Sequence, residues 1–277
     1  MIAVCIATYN QETFLTQAIE SVLAQQCDEP LHIYIGDDAS TDGTSAICER
    51  YAKQDERIVY IRRKENLGLV SNTIDLYCRI IADNCDFIAM LDGDDYWIDN
   101  HKLQKQLNYL CKHPECGFVH TEALEERNGQ QHKLPKENIP TGDLSLRYDL
   151  RGARQTNSTV LFCADLLNTK ELRAIEAQQF PVLDYPLYGL LAHHTEFGYL
   201  PSPTAVWRRH NSVSQPQTLH TRIHYQRERL RMWKWLDKQY EGHFHFRWYK
   251  AFLWYIWQFF YILFAQIKKM LYLCSRF

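Results

Sequence analysis

The run Phe87-Ile88-Ala89-Met90-Leu91 leads without a break into Asp92-Gly93-Asp94-Asp95. Five consecutive apolar residues have the length of a strand buried on both faces. Three carboxylates in four positions follow where that strand must end. Carboxylates this close repel one another, and burying them uncompensated is costly, so a positive charge is expected beside them. Hard oxygen ligands at a strand exit suit Mg²⁺ or Mn²⁺, and such ions usually bring a phosphate-bearing substrate. An isolated Asp-Gly-Asp-Asp could equally be a solvated acidic turn, so the surrounding pattern has to decide.

That pattern is an alternation of strand-like and helix-like stretches through residue 121. Residues 2–7, His32–Ile35, Ile58–Ile61, 87–91 and Gly117–Thr121 read as short apolar strands. Between them, Leu15/Ala18/Ile19/Val22/Leu23, Ser45–Ala52, Val70/Ile74/Tyr77/Ile81 and Leu103/Leu107/Leu110 recur at helical spacing. A βαβα series predicts an α/β fold with a doubly wound, mostly parallel sheet, in which ligands bind outside the carboxyl ends of the strands. The strand exits are polar and acidic: Thr8-Tyr9-Asn10, then Gly36–Thr44, then Asn66-Leu67-Gly68, then Asp92–Asp95. No Gly-x-Gly-x-x-Gly follows the first strand and no Walker-type Gly-Lys-Thr occurs, which disfavours a dinucleotide dehydrogenase or a P-loop ATPase.

The alternation lapses over residues 122–160, where Asn128-Gly129, Pro135, Pro140 and Gly142 suggest an irregular excursion or hairpin shaping an acceptor pocket. Thr159–Cys163 reads as a further strand and Asp165–Ile175 as a helix. Residues 205–234 carry seven Lys/Arg against one acid, Glu228, a pattern that fits phosphates, an anionic membrane or simply a solvated helix face. Ala251–Ala265 is nearly all apolar and aromatic, with Arg247, Lys250, Lys268 and Lys269 flanking it. It is shorter than the ~20 residues a spanning helix needs and is interrupted by Gln258. Dense Trp and Tyr with basic flanks favour a helix lying in the membrane interface, with a core or dimer helix as the alternative.

Charge and cysteine usage limit the partners. A net charge of −2 gives no overall drive toward nucleic acid. Nine scattered cysteines without a Cys-x-x-Cys fit reduced thiols in a cytosolic protein. The apolar opening Ile2–Ala7 has no basic leader or cleavage site and reads as a core strand, not as a signal peptide. Asp38-x-Ser40-x-Asp42-Gly43 with Glu49 nearly fits a calcium loop, but the preceding His32–Ile35 is strand-like where that loop needs a helix.

Taken in order, the motifs are specific. A first strand ending in Thr8-Tyr9-Asn10 is followed by Ser21-Val22-Leu23-x-Gln25 and then by Gly36-Asp37-Asp38-x-Ser40-Thr41-Asp42-Gly43-Thr44. Asn66-x-Gly68, Asp92-Gly93-Asp94-Asp95 and Arg209-His210-x-Ser212 complete the series. Over about residues 1–213 the chain resembles the inverting nucleotide-sugar glycosyltransferases of family 2, which have the GT-A fold. The resemblance implies a transferase domain over 1–215, with a nucleotide-sugar half (1–121) and an acceptor half (122–215). A C-terminal helical extension over 216–277 follows, carrying the aromatic helix.

The resemblance also implies roles. Asp95 would be the principal ligand of a divalent cation (Mn²⁺ or Mg²⁺), with Asp94 a second ligand and Asp92 supporting. His210 would be able to reach the metal or diphosphate. Asp38 matches a uracil-contacting Asp and Tyr9 a residue lying against the base. Ala7, Lys64, Asn66, Asp92, Asp94 and Arg209 complete the expected nucleotide-sugar contacts, with Lys64 and Arg209 as phosphate partners. An acceptor hydroxyl needs a general base opposite the leaving group. Related enzymes often show a Glu-Asp pair there, and this chain has Leu183-Asp184, which makes Asp184 the candidate. Asp184 also suits a helix N-cap ahead of Pro186. Asp143, Asp165 and Glu196 are weaker candidates for the base.

The expected activity is transfer of a hexose or N-acetylhexosamine, with inversion, from a UDP-linked donor to a glycan or lipid-linked saccharide in surface polysaccharide synthesis. The expected place is the inner face of the plasma membrane. A nucleotide-sugar-binding protein without turnover is the alternative that the single Asp184 motivates. A sugar-phosphate nucleotidyltransferase is disfavoured, because Thr8-Tyr9-Asn10-Gln11 is not a glycine-rich loop.

Overall fold

The computed structural model describes residues 1–133, 156–209 and 219–240, together with six positions between 253 and 264. Two compact units divide the chain, one of Met1–Arg147 with Ala153–His210 and one of Tyr148–Gly152 with Asn211–Phe277.

The first unit opens with the alternation its sequence predicts. β1 (Ile2–Thr8), α1 (Leu15–Leu23), β2 (Leu31–Asp37), α2 (Thr44–Gln54), β3 (Ile58–Arg62), α3 (Leu69–Ala82) and β4 (Phe87–Met90) follow in turn. After them come β5 (Tyr96–Trp97), α4 (Lys102–Lys112), β6 (Cys116–Arg127), β7 (Gln130–Lys133), β8 (Leu161–Cys163), α5 (Thr169–Glu176), α6 (Asp184–His194) and β9 (Glu196–Arg208). Leu15, Ala18, Ile19 and Val22 are the buried residues of α1, the stripe expected from a 3.6-residue period. α4 buries Leu103, Leu107 and Leu110, and with them Lys102 and Gln106. The Asn128-Gly129 signal becomes the β6–β7 turn, with φ of 51° and 75° at the two residues.

The strands form one sheet in the order β3-β2-β1-β4-β8-β6-β9-β5, with β7 beside β6. The first four are parallel. β6 was expected to continue that series, but β8 lies between it and β4 and runs antiparallel to both. The apolar Leu161 and Phe162 supply the edge that β4 needs, so the first parallel run ends at β4; β6 and β9 pair parallel beyond it, and the whole sheet is mixed. Two helix starts also differ from expectation. α5 begins after an Asn168 cap, leaving Asp165 in a single 3-10 turn over Ala164–Leu166. Asp184 is the first helical residue of α6, and Leu183 holds the cap position.

In the second unit α7 (Leu219–Gln239) buries Arg229, Met232, Trp233 and Leu236 along one side. The basic stretch 205–234 therefore spans two elements, and Arg231 within it pairs with Glu228 at 2.6 Å. Among the described residues no helix is long and apolar enough to cross a membrane.

Candidate active site

Register fixes where the strand exits meet. Thr8 lies opposite Asp37 and Cys5 opposite Met90, so the loops after β1, β2 and β4 leave the sheet side by side. Asn10, with φ of 52°, receives the Thr41 N–H on its side-chain Oδ1 and donates its own backbone N–H to Ser40 Oγ. Gln11 donates its N–H to Thr44 Oγ1 and accepts from Thr8 Oγ1. Asp37 is fully buried. Burial raises its carboxyl, but bonds from Ser40, Ser45 and Tyr60 outweigh this and hold it low. These contacts make the first two loops one rigid rim. Gly93 sits against that rim, where a Cβ would collide with the Gln11 side chain.

Asp38 is buried at 3% exposure, and both of its oxygens accept backbone N–H groups, from Leu67 at 2.7 Å and Gly68 at 2.8 Å. Asn66 donates to the Asp38 carbonyl, and Gly68 takes a φ of 84° that favours glycine. Asp38 thus fastens the loop after β3 to the loop after β2. Tyr9, 46% exposed, stands on the same rim, as does the exposed Lys64; Ala7 is half-buried near the end of β1, opposite Gly36. Ser21 and Gln25 have a comparable bracing task. Ser21 Oγ accepts the Trp97 N–H, while Gln25 bonds the Asp99 carbonyl and the Leu103 N–H, tying α1 to the segment after the acidic run.

The acidic run is held from the far side of the sheet. Asp95, 1% exposed, accepts the Ser158 hydroxyl at 2.5 Å and the Arg208 N–H at 2.9 Å. Burial first, and then the Asp94 charge, push its carboxyl up to about 7, with Ser158 and Arg208 opposing. The Asp92 carboxyl is raised by burial and by the charges of Asp95, Asp94 and Asp184, with Asn157 opposing. Asn157 Nδ2 donates to Asp184 at 3.1 Å and makes a weaker 3.5 Å contact with Asp92, while Tyr188 donates to Asn157 Oδ1 at 2.6 Å. Burial also raises the Asp184 carboxyl, against the bond from Asn157. Asp92, Asp94, Asp95 and Asp184 therefore share one electrostatic neighbourhood, reached from β4 and from the start of α6.

Asn157, Ser158 and Arg208 were not singled out in the sequence. The polar triplet Asn157-Ser158-Thr159 ahead of the apolar Val160–Phe162 is the signal that could have drawn attention to the first two. Arg208 packs over Tyr96 at 4.3 Å and donates to the Asp94 carbonyl at 2.8 Å. Arg209, expected as a phosphate partner, directly follows β9, and its guanidinium pairs with Glu125 at 3.1 Å. Asp165 and Glu196 are exposed. His210 and Asp143 lie outside the described residues.

Among the described residues no three His, Cys, Asp or Glu side chains are arranged to hold a metal by themselves. The chemistry of the donor set nevertheless suits Mg²⁺ or Mn²⁺, which take one or two carboxylates and complete their shell with water and substrate phosphate. Carboxylates that raise one another's affinity for protons are relieved by a divalent cation, and Asp94 with Asp95 would hold it.

A mixed sheet of this order, with acidic residues gathered at the exits of β2 and β4, is the architecture of the GT-A fold. The chain belongs to glycosyl transferase family 2, whose profile matches residues 3–166. An uncharacterized protein of Mycobacterium tuberculosis, Rv1520, is 33% identical over 73% of the chain, which spans 57% of that relative's length. Among solved structures, S. aureus TarS (residues 1–349, in complex with UDP-GlcNAc) is similar at a TM-score of 0.60 and 16% identity, over 84% of this chain and 66% of that one. The mannosyltransferase PcManGT of Pyrobaculum calidifontis, in complex with GDP-Man and Mn²⁺, is similar at 0.55 and 15%, over 90% and 71%.

Proposed function

We propose that this glycosyltransferase moves one hexosyl or N-acetylhexosaminyl residue, with inversion, from a UDP-linked sugar to a glycan or lipid-linked saccharide acceptor in surface polysaccharide synthesis. The observation that carries the proposal is the link Asp184–Asn157–Asp92, which joins a base candidate to the acidic run. Asp184 accepts the proton of the acceptor hydroxyl as that oxygen bonds the anomeric carbon and the bond to the diphosphate breaks. Its raised affinity for a proton makes it a stronger base than a free carboxylate. Asn157 aims Asp184, and Asp38 keeps the rim beside the nucleotide in shape. Asp94 and Asp95 would hold a divalent cation, which would supply Lewis-acid stabilisation of the departing nucleoside diphosphate.

The place of action proposed is the inner face of the plasma membrane. Supporting this, Leu253, Trp257, Phe260, Tyr261 and Phe264 recur at helical spacing and are between 47% and 69% exposed. The test is incubation with a panel of nucleotide diphospho-sugars and saccharide acceptors in the presence of Mn²⁺, read as release of nucleoside diphosphate and labelled product. Transfer that chelator and Asp184→Asn each abolish supports the proposal. Nucleotide binding without turnover across the panel would mark a binding protein of the same fold.

A further inference from the structure

Lys102 has no exposed surface, yet its ammonium meets a single side-chain acceptor, Oε1 of Gln106 at 2.6 Å, and lies 4.4 Å above the Trp97 ring. A buried cation so sparsely paired is expensive, and an apolar side chain of the same length would fill the space at lower cost. Gln106 is fully buried too, and it spends its amide hydrogens on the Val119 carbonyl at 3.2 Å and the Thr159 carbonyl at 2.9 Å. With both hydrogens committed, the amide oxygen must face Lys102, so the ammonium selects the orientation that lets Gln106 grip Thr159. Next to this grip, Trp97 Nε1 donates to the Ser158 carbonyl at 2.7 Å. The Asn157–Thr159 turn is thereby held at two successive carbonyls from α4 and β5. Its side chains in turn fix Asp95 through Ser158 and Asp184 through Asn157.

The geometry points to Lys102 and Gln106 as positioning residues that, with Trp97, lock the Asn157–Thr159 turn where Asp184 and Asp95 face the substrates. This rests on the transferase proposal above, and neither residue touches a substrate. Burial lowers the Lys102 amine to about 7, with Asp99 opposing, as expected for a group retained for its hydrogen bond and not for surface charge.

Three full-length variants test it. Lys102→Met keeps most of the side chain's length and removes its donor. Gln106→Glu retains a partner for Lys102 but cannot donate to Thr159. Trp97→Phe removes the indole N–H together with part of the buried ring, and serves if either of the others fails to give a native near-UV circular dichroism spectrum. Each should lower kcat by roughly 10- to 100-fold, the scale of a small misplacement of reacting groups. UDP affinity by calorimetry without Mn²⁺ should stay within about threefold of wild type, and the acidic limb of the kcat pH profile should move. Combining Lys102→Met with Asn157→Ala should add little further loss, because both act through one turn. Variants that match an active wild type, or losses that multiply in the double variant, would overturn the positioning role alone. A wild-type chain that neither binds UDP nor transfers sugar would remove the transferase proposal and this one with it.

Discussion

Asp92 and Asp184 reach for the same amide: Nδ2 of Asn157 lies 3.5 Å from the first and 3.1 Å from the second. The two carboxylates come from elements about ninety residues apart in the chain, at the exit of β4 and the first turn of α6. Each has its proton affinity raised by burial and lowered by that amide. Where the family resemblance leads one to expect an acidic pair, this chain has the buried Leu183 beside Asp184. In this chain an amide from the turn before β8 steadies the remaining one.

Asn157→Ala removes the donor that orients Asp184. We expect kcat to fall by roughly 10- to 100-fold while UDP affinity is retained. Steady-state kinetics alongside calorimetry check this, and an unchanged kcat would show that Asp184 needs no such support.

Asp38 spends both oxygens on the N–H groups of Leu67 and Gly68. Asp38→Asn turns an NH₂ toward one of those donors and should cost about 1–3 kcal/mol of stability. Urea unfolding measures the loss. The same variant should weaken nucleotide binding, because the loop after β3 forms part of the rim.

The pH dependence of stability separates two buried groups. The Asp95 carboxyl lies near 7 in the fold, against 3.8 for a free Asp. The folded state therefore holds the proton more tightly, and this contribution is complete below about pH 4 and lost as pH rises through about 7. Metal-free protein should lose Tm across that interval, Asp95→Asn should flatten the decline, and Mn²⁺ should raise Tm more above the interval than within it. Lys102 acts in the next window, because its amine lies near 7 in the fold against 10.5 when free. Its contribution is complete above about pH 10.5 and lost as pH falls through about 7. Lys102→Met should abolish the gain in Tm between those limits. Thermal melts at closely spaced pH values check both signs.

The aromatic stripe gives a test of location. Full-length protein should co-sediment with vesicles containing anionic lipid. Changing Trp257, Phe260 and Phe264 together to Ser should release it, while raised salt should weaken binding only in part. Equal binding by the variant would assign the stripe to another partner.

Much of the parallel half was legible because its signals are local. The apolar stripes of α1 and α4 and the short runs of β1 to β4 show their period within a few residues, and the exits of such strands are where ligands gather. That rule is why Asp38, Asp92, Asp94 and Asp95 could be placed on one rim. The antiparallel insertion of β8 between β4 and β6 was not legible, since pairing across about seventy residues leaves no local period. For the same reason Ser158 gave no hint that its hydroxyl would meet Asp95. The contacts of Arg208 with Asp94 and Asp95 were not legible either, because β9 was not read as a strand. At Lys102 the helical stripe was recognised from its leucines, but a charged residue on the buried face runs against the pattern and was passed over.

The most direct measurement is calorimetric titration of UDP into the full-length chain with and without Mn²⁺, for wild type and for Asp95→Asn. The expected result is tightening of roughly tenfold or more by the cation in wild type, abolished in the variant, with the cation-free affinity unchanged. Equal affinity in the presence and absence of Mn²⁺, or tightening that survives the loss of the Asp95 carboxylate, would contradict a cation held at the exit of β4.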